Sequence, residues 1–170
     1  NTALLHNRGW EGVNIDMNQT SIDLFNLLRK KDINICAAIS NETKETIQYF
    51  DHLFSPVNTL NKKFSKKVSE KISSNNQSKK KISTHKFSQI AMAHNIEVKK
   101  INFINIDAEA HDFEVLQSLD LNFIKAKLIC IEMLDDSNNL NDKKFKNYLY
   151  KYNYNLIKII GPNGFFEKNN

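Results

Sequence analysis

Residues 100–121 read KINFINIDAEAHDFEVLQSLDL, and the periodicity of the chain changes midway through them. Residues 101–106 are a short apolar run rich in β-branched side chains, the composition and length of a buried strand. The run stops on Asp107, after which Phe113, Leu116 and Leu119 recur at helical spacing. A strand that passes directly into a helix is the unit of an α/β fold, and open α/β sheets bind ligands at the carboxyl ends of their strands. Asp107, Glu109, His111, Asp112 and Glu114 crowd that switch point, four carboxylates and one imidazole. They suit acid–base chemistry. They equally suit a helix entry, where a strand-end Asp caps the helix and first-turn acids complement its dipole.

The same alternation runs along the chain. Residues 2–8 read as a short helix closed by Gly9 at its C-terminal cap, and residues 10–16 as a strand ending on Asp16. An amphipathic helix from Thr20 or Ser21 to Lys31 follows, entered through a Thr/Ser cap. Residues 33–39 are a second strand and residues 46–50 a third, and residues 86–94 are a helix. Downstream, residues 127–133 form a strand ending on Glu132, and residues 145–152 a helix. Residues 156–160 and 165–166 flank Gly161-Pro162-Asn163-Gly164, a hairpin signal. Strands alternating with helices predict an α/β domain with a mainly parallel sheet and a C-terminal antiparallel hairpin. A chain of 170 residues suits a single domain.

The alternation is interrupted at about residues 51–81. Most of the +5 net charge lies in residues 62–86, KKFSKKVSEKISSNNQSKKKISTHK. Such a run can contact nucleic acid, but Phe64 is its single aromatic, short of the stacking set that single-strand binders use. The expectation is a solvated, flexible Lys/Ser-rich insertion. No apolar run approaches the ~18 residues of a membrane span. Cys36 and Cys130 sit in strand-like runs without metal-ligand spacing, so no metal is expected and both read as buried free thiols in a reducing cytoplasm. The start lacks both a signal-peptide pattern and an initiator Met, as expected of a piece of a longer protein.

Asp16 is the second candidate. In nucleoside-binding α/β folds a strand-end carboxylate accepts hydrogen bonds from both ribose hydroxyls, having acceptor oxygens and no donor. The usual companion, a glycine-rich loop, is not formed by Gly9, Gly12, Gly161 or Gly164. Taken together, GWEGVNIDMN at 9–18, DINICAAISN at 32–41, the 101–121 segment and LIKIIGPNGFFEK at 156–168 resemble the FkbM-type methyltransferases. The most specific piece is Asp107-Ala108-Glu109-Ala110-His111-Asp112 followed by Glu114-Val115-Leu116.

The resemblance implies a Rossmann-like fold and S-adenosylmethionine as cofactor. It implies that Asp16, with Met17, holds the ribose, and that Ala38 and Ile39 lie near the adenine. It further implies that Asp107, Glu109 and His111 stand beside the methyl group and the acceptor, a hydroxyl of a small molecule or saccharide. Asp107 would thus serve both cofactor and chemistry. Glu132 is a candidate for lining the acceptor pocket, set against ordinary strand-end solvation. Two departures accompany the likeness. Ala110 stands where the family has glycine, which strains the backbone if that position needs a positive φ, and the family's first strand and glycine-rich loop would precede Asn1. A non-catalytic Rossmann-like module, binding nucleic acid through the lysines, is the alternative.

Overall fold

The computed structural model describes residues 2–50, 58–72, 78–135 and 139–169. Helix α1 (Ala3–Asn7) ends at Gly9, whose φ of 84° is the left-handed geometry that glycine adopts without steric cost. The Trp10 amide still closes that helix, bonding the Leu5 carbonyl at 3.1 Å, so strand β1 begins later than expected, at Val13, and runs to Asp16. Helix α2 (Gln19–Leu28) is capped by Asn18, whose side-chain oxygen accepts from the Thr20 amide. The Thr/Ser cap is thereby corrected by two or so residues. Strand β2 (Ile33–Cys36) returns parallel to β1, pairing Val13 with Ile33 and Asp16 with Cys36. Asp32 ties the crossover together through the Gly12 amide and the Asn14 side chain.

The strand expected over residues 33–39 breaks at Ala37, whose amide bonds the Asp16 carbonyl at 3.0 Å. Its remainder, β3 (Ala38–Ile39), joins a second sheet with β4 (Glu45–Phe50) and β5 (Ser78–His85), in the order β3-β5-β4. Strand β5 runs parallel to β3 and antiparallel to β4. Where it is described, the basic run forms regular elements rather than the solvated, flexible insertion that its composition predicted. Residues 78–85 are the central strand of a sheet, with Lys79, Lys80 and Lys81 exposed and Thr84 buried. Residues 62–72 are helix α3 (Lys62–Ile72), which buries Phe64 and Ser65 and turns Lys62, Lys63 and Lys66 to solvent. Backbone pairing ignores side-chain polarity, and a single apolar stripe suffices to seat a helix. Residues 51–57 and 73–77 of the run lie outside the described residues.

Helix α4 (Phe87–Ala93) leads into the third sheet, which holds the core. Strands β6 (Phe103–Ile106) and β7 (Leu128–Glu132) are parallel, joined through helix α5 (Asp112–Gln117). Helix α6 (Asp142–Leu149) and a 3-10 turn precede the hairpin of β8 (Tyr154–Ile160) and β9 (Asn163–Lys168). The order is β6-β7-β9-β8, with β9 antiparallel to both neighbours. Ile129, Ile131, Met133, Phe145, Leu149, Tyr154 and Phe166 are fully buried there, and Tyr154 donates its hydroxyl to the Ala126 carbonyl at 2.7 Å. Gly164 belongs to β9 rather than to the turn. A Cβ there would stand 2.6 Å from Met133 Sδ, so the close approach of the core explains the glycine.

The molecule is thus mixed α/β. Parallel pairs (β1–β2, β3–β5, β6–β7) are matched by antiparallel ones (β4–β5, β7–β9, β8–β9), which corrects the expectation of a mainly parallel sheet. Cys130 is buried as expected, whereas Cys36, at the end of β2, is exposed. No helix among the described residues is long and apolar enough to cross a membrane.

Candidate active site

Strand β6 ends at Ile106, buried in the core, and the next residue, Asp107, is exposed. The chain then makes a bend that L-residues rarely adopt: Glu109 has φ 52° and Ala110 φ 65°. Two consecutive left-handed non-glycine residues store strain of order 1–3 kcal/mol each and persist only where their surroundings impose them. Ala110 is where glycine was expected by resemblance, and its backbone does take the conformation that glycine would ease.

The bend closes with the His111 amide on the Ala108 carbonyl, at 3.1 Å, and with the Ala108 amide on Asp112 Oδ1, at 2.7 Å. Asp112 is 1% exposed, and its other oxygen has no partner among the described residues. Burial is the main force that pushes its carboxyl up to about 8, opposed by the Ala108 N–H and assisted by Glu132 and Asp107. Asp112 is therefore more than a first-turn acid. It is a buried, proton-bearing prop inside the bend.

Glu109 is half-buried, and its carboxyl is raised to about 7, first by burial and then by the charges of Glu132 and Asp107. Glu132, at the end of β7, is raised for the same reasons, burial and then Asp107, and its Oε2 is buried without a partner among the described residues. Parallel pairing of β6 with β7 places these strand ends side by side. The sequence candidates Asp107 and Glu109 thus share one acidic locus with Glu132.

His111 faces elsewhere. Its Nε2 lies 3.1 Å from the Ser40 hydroxyl and its Nδ1 3.8 Å from Glu114. Burial holds its pKa below the usual value; Lys44 adds to that and Glu114 opposes it. Ser40 follows β3 directly, is 2% exposed, and is fixed by its amide on the His85 carbonyl at 2.9 Å. Ala38 and Ile39, in β3, are thereby tied to the 107–111 loop through the next residue.

Asp16 stands at the end of β1. Its carboxylate accepts from the Asn18 amide at 2.8 Å and from the Ser21 hydroxyl, and burial, the largest influence, raises its pKa against both. The carbonyl of Met17 receives the Cys36 thiol at 3.7 Å. Asp16 and Met17 thus form a hydrogen-bonded corner on the β1–β2 crossover.

Two groups escaped the sequence reading. Thr59 donates its hydroxyl to the Glu109 carbonyl at 2.7 Å, and Asn61 donates its side-chain amide to the Ala110 carbonyl at 3.2 Å. Both lie in the stretch expected to be solvated. The available signal was Thr59-Leu60-Asn61, a helix-entry pattern before Phe64, Val68 and Ile72 at four-residue spacing.

Acidic residues gather here at the carboxyl ends of strands in an α/β chain, where such sheets bind ligands, and a family model for the methyltransferase FkbM domain matches residues 1–156. The chain belongs to the FkbM methyltransferase-domain family. No curated protein and no solved structure matches it significantly.

Proposed function

We propose that the domain transfers a methyl group from S-adenosylmethionine to a hydroxyl of a small molecule or saccharide, as a Rossmann-like member of its family. The observation that carries the reading is the match of residues 1–156 to the methyltransferase FkbM domain, with Glu109 set in the bend of that domain's acidic locus, its carboxyl raised by burial and by the charges of Glu132 and Asp107. The residues present fit the cofactor's chemistry in two respects. Asp16 is a carboxylate held at the end of β1 by the Asn18 amide, an acceptor suited to ribose hydroxyls, and a buried oxygen of Glu132, without a partner among the described residues, is an acceptor in an acidic locus that favours a cation. Asp16 and Met17 would hold the ribose, with Ala38 and Ile39 on the adenine side and Asp107 toward the reacting sulfur. When bound, the cofactor supplies an electrophilic methyl group on a cationic sulfur.

Glu109 takes the proton of the acceptor hydroxyl, because a base titrating near the working pH combines the right protonation state with driving force. Asp107 orients the acceptor, and the half-buried setting of Glu109 keeps competing water few. His111 braces β3 against the loop through Ser40. Catalysis of such a displacement is mostly positioning, which suits a pre-bent loop. The free thiols Cys36 and Cys130 support a reducing, cytoplasmic setting.

Calorimetric titration with S-adenosylhomocysteine tests the reading. The wild type should bind and Asp16→Ala should lose at least tenfold in affinity. No binding by the wild type would overturn the cofactor, and unchanged affinity in the variant would remove the ribose assignment. A second reading is favoured by the exposed Lys62, Lys63, Lys66, Lys79, Lys80 and Lys81: a non-catalytic module that holds nucleic acid. It demands an affinity for oligonucleotides that falls steeply with salt and with neutralisation of those lysines.

A further inference from the structure

We infer that Thr59 and Asn61 are positioning residues, a clamp from outside the 107–111 loop that holds the bend aiming Glu109. The two donors meet the carbonyls of the two residues with positive φ, one each. That correspondence is what a left-handed bend needs: relaxation of either residue would swing its carbonyl away from its donor.

The clamp is itself anchored on both sides. Thr59 is 1% exposed and exchanges backbone hydrogen bonds with Tyr49 of β4, at 2.9 and 3.1 Å. Its hydroxyl also accepts from the Asn61 amide at 2.9 Å. Asn61 then caps α3, its Oδ1 accepting from the amides of Lys63 at 3.0 Å and Phe64 at 3.1 Å while its Nδ2 serves Ala110. Each side chain thus works in both directions, one toward its own element and one toward the loop. A family glycine would adopt the bend unaided. Ala110 adopts it only at a steric cost, and the clamp offsets part of that cost.

The consequence for chemistry rests on the methyl-transfer reading, in which Glu109 is the base; the clamp does not. Released from the bend, Glu109 would reach water and lose the burial that dominates its titration, leaving Glu132 and Asp107 as the charges that face it. The test is a carboxyl NMR titration of Glu109 in the full chain, its signal assigned by loss in Glu109→Gln. In the wild type the midpoint should lie near 7. Thr59→Val, isosteric but without a donor, should lower it by about one pH unit or more, and Thr59→Ser should keep it. Adding Ala110→Gly to Thr59→Val should recover part of the shift, since glycine holds positive φ without help. Should Thr59→Val fail to fold, Asn61→Ser keeps an N-capping oxygen, adds no charge and removes the amide donor to Ala110. A merely structural role would lower melting temperature in these variants and leave the midpoint in place. An unmoved midpoint in folded Thr59→Val, or an equal fall in Thr59→Ser, overturns the clamp. Titration of the same samples with S-adenosylhomocysteine separates the two claims: a wild type that binds none defeats the methyl-transfer reading while the midpoints still decide the clamp.

Discussion

Glu109, Asp112 and Glu132 are all carboxyls raised by burial, yet their positions give them different work. Asp112 is sealed inside the bend against the Ala108 amide, Glu132 closes β7, and Glu109 is half-buried at the bend itself. Of the three, Glu109 has both partial exposure and a pKa of about 7. A general base must be deprotonated to act, so the methyl-transfer rate should be low below pH 7 and rise as pH passes through it. Glu109→Gln should reduce turnover by about 10²-fold or more and flatten that limb. A pH–rate profile of the two proteins checks this, and an unchanged limb in the variant would assign the proton to another group. At this scale the sequence marked the acids that the structure gathers around the bend, because acids after a strand are visible as letters. It could not rank them, since burial and neighbouring charge depend on which strands lie side by side.

Helix α3 and strand β5 show how composition misleads at the scale of elements. Lysine-rich runs resemble disordered segments because hydropathy averages a surface with its underside. In α3 the underside is Phe64, 6% exposed, and Ser65, with Lys62, Lys63 and Lys66 on the outer face. In β5 the hydrogen bonds to β3 and β4 carry the strand, and Thr84 alone is fully buried, bonding the Glu42 carbonyl at 2.8 Å. Phe64→Ala should therefore cost about 3 kcal/mol, the usual loss for a buried aromatic. Denaturant unfolding measures it, and a midpoint equal to wild type would return α3 to the status of a solvated insertion. Because the clamp residues Thr59 and Asn61 precede α3 directly, loosening that helix should also disturb the loop they hold. Strand-helix order elsewhere was legible from periodicity. The break at Ala37 was not, since one apolar run served two sheets and only the Ala37 bond to Asp16 divides them.

For the whole molecule, the buried carboxyls should make stability fall as pH rises. Asp112 has its folded pKa raised from 3.8 to about 8, so between those values the native state holds a proton that the unfolded chain has released. Its stabilisation is full below the unfolded pKa and lost as pH rises through about 8. Glu109 acts in the same sense, from 4.5 to about 7. His111 acts oppositely below its ordinary value, its lowered pKa making stability rise with pH there. A comparison at pH 6.5 and 8.5 isolates the carboxyls. Melting temperature should be lower at pH 8.5, by about 2–4 °C for each kcal/mol lost, with one proton worth up to about 1.4 kcal/mol per pH unit. Asp112→Asn, neutral at both, should flatten the difference, and an identical pH dependence in that variant would show that Asp112 does not titrate in this range.

The sequence by itself determined the α/β alternation, the acids that close β1, β6 and β7, the terminal hairpin and the family, because these reside in local periodicity and in short motifs read residue by residue. Tertiary structure alone decided that the strands divide into three sheets, two of them mixed, that the lysine-rich run supplies a central strand and a docked helix, and that Thr59 and Asn61 reach the loop 107–111. Those are contacts between residues some fifty positions apart, such as Thr59 with Glu109. No local pattern encodes them, since hydrogen-bond partners across that distance are chosen by the packing of whole elements.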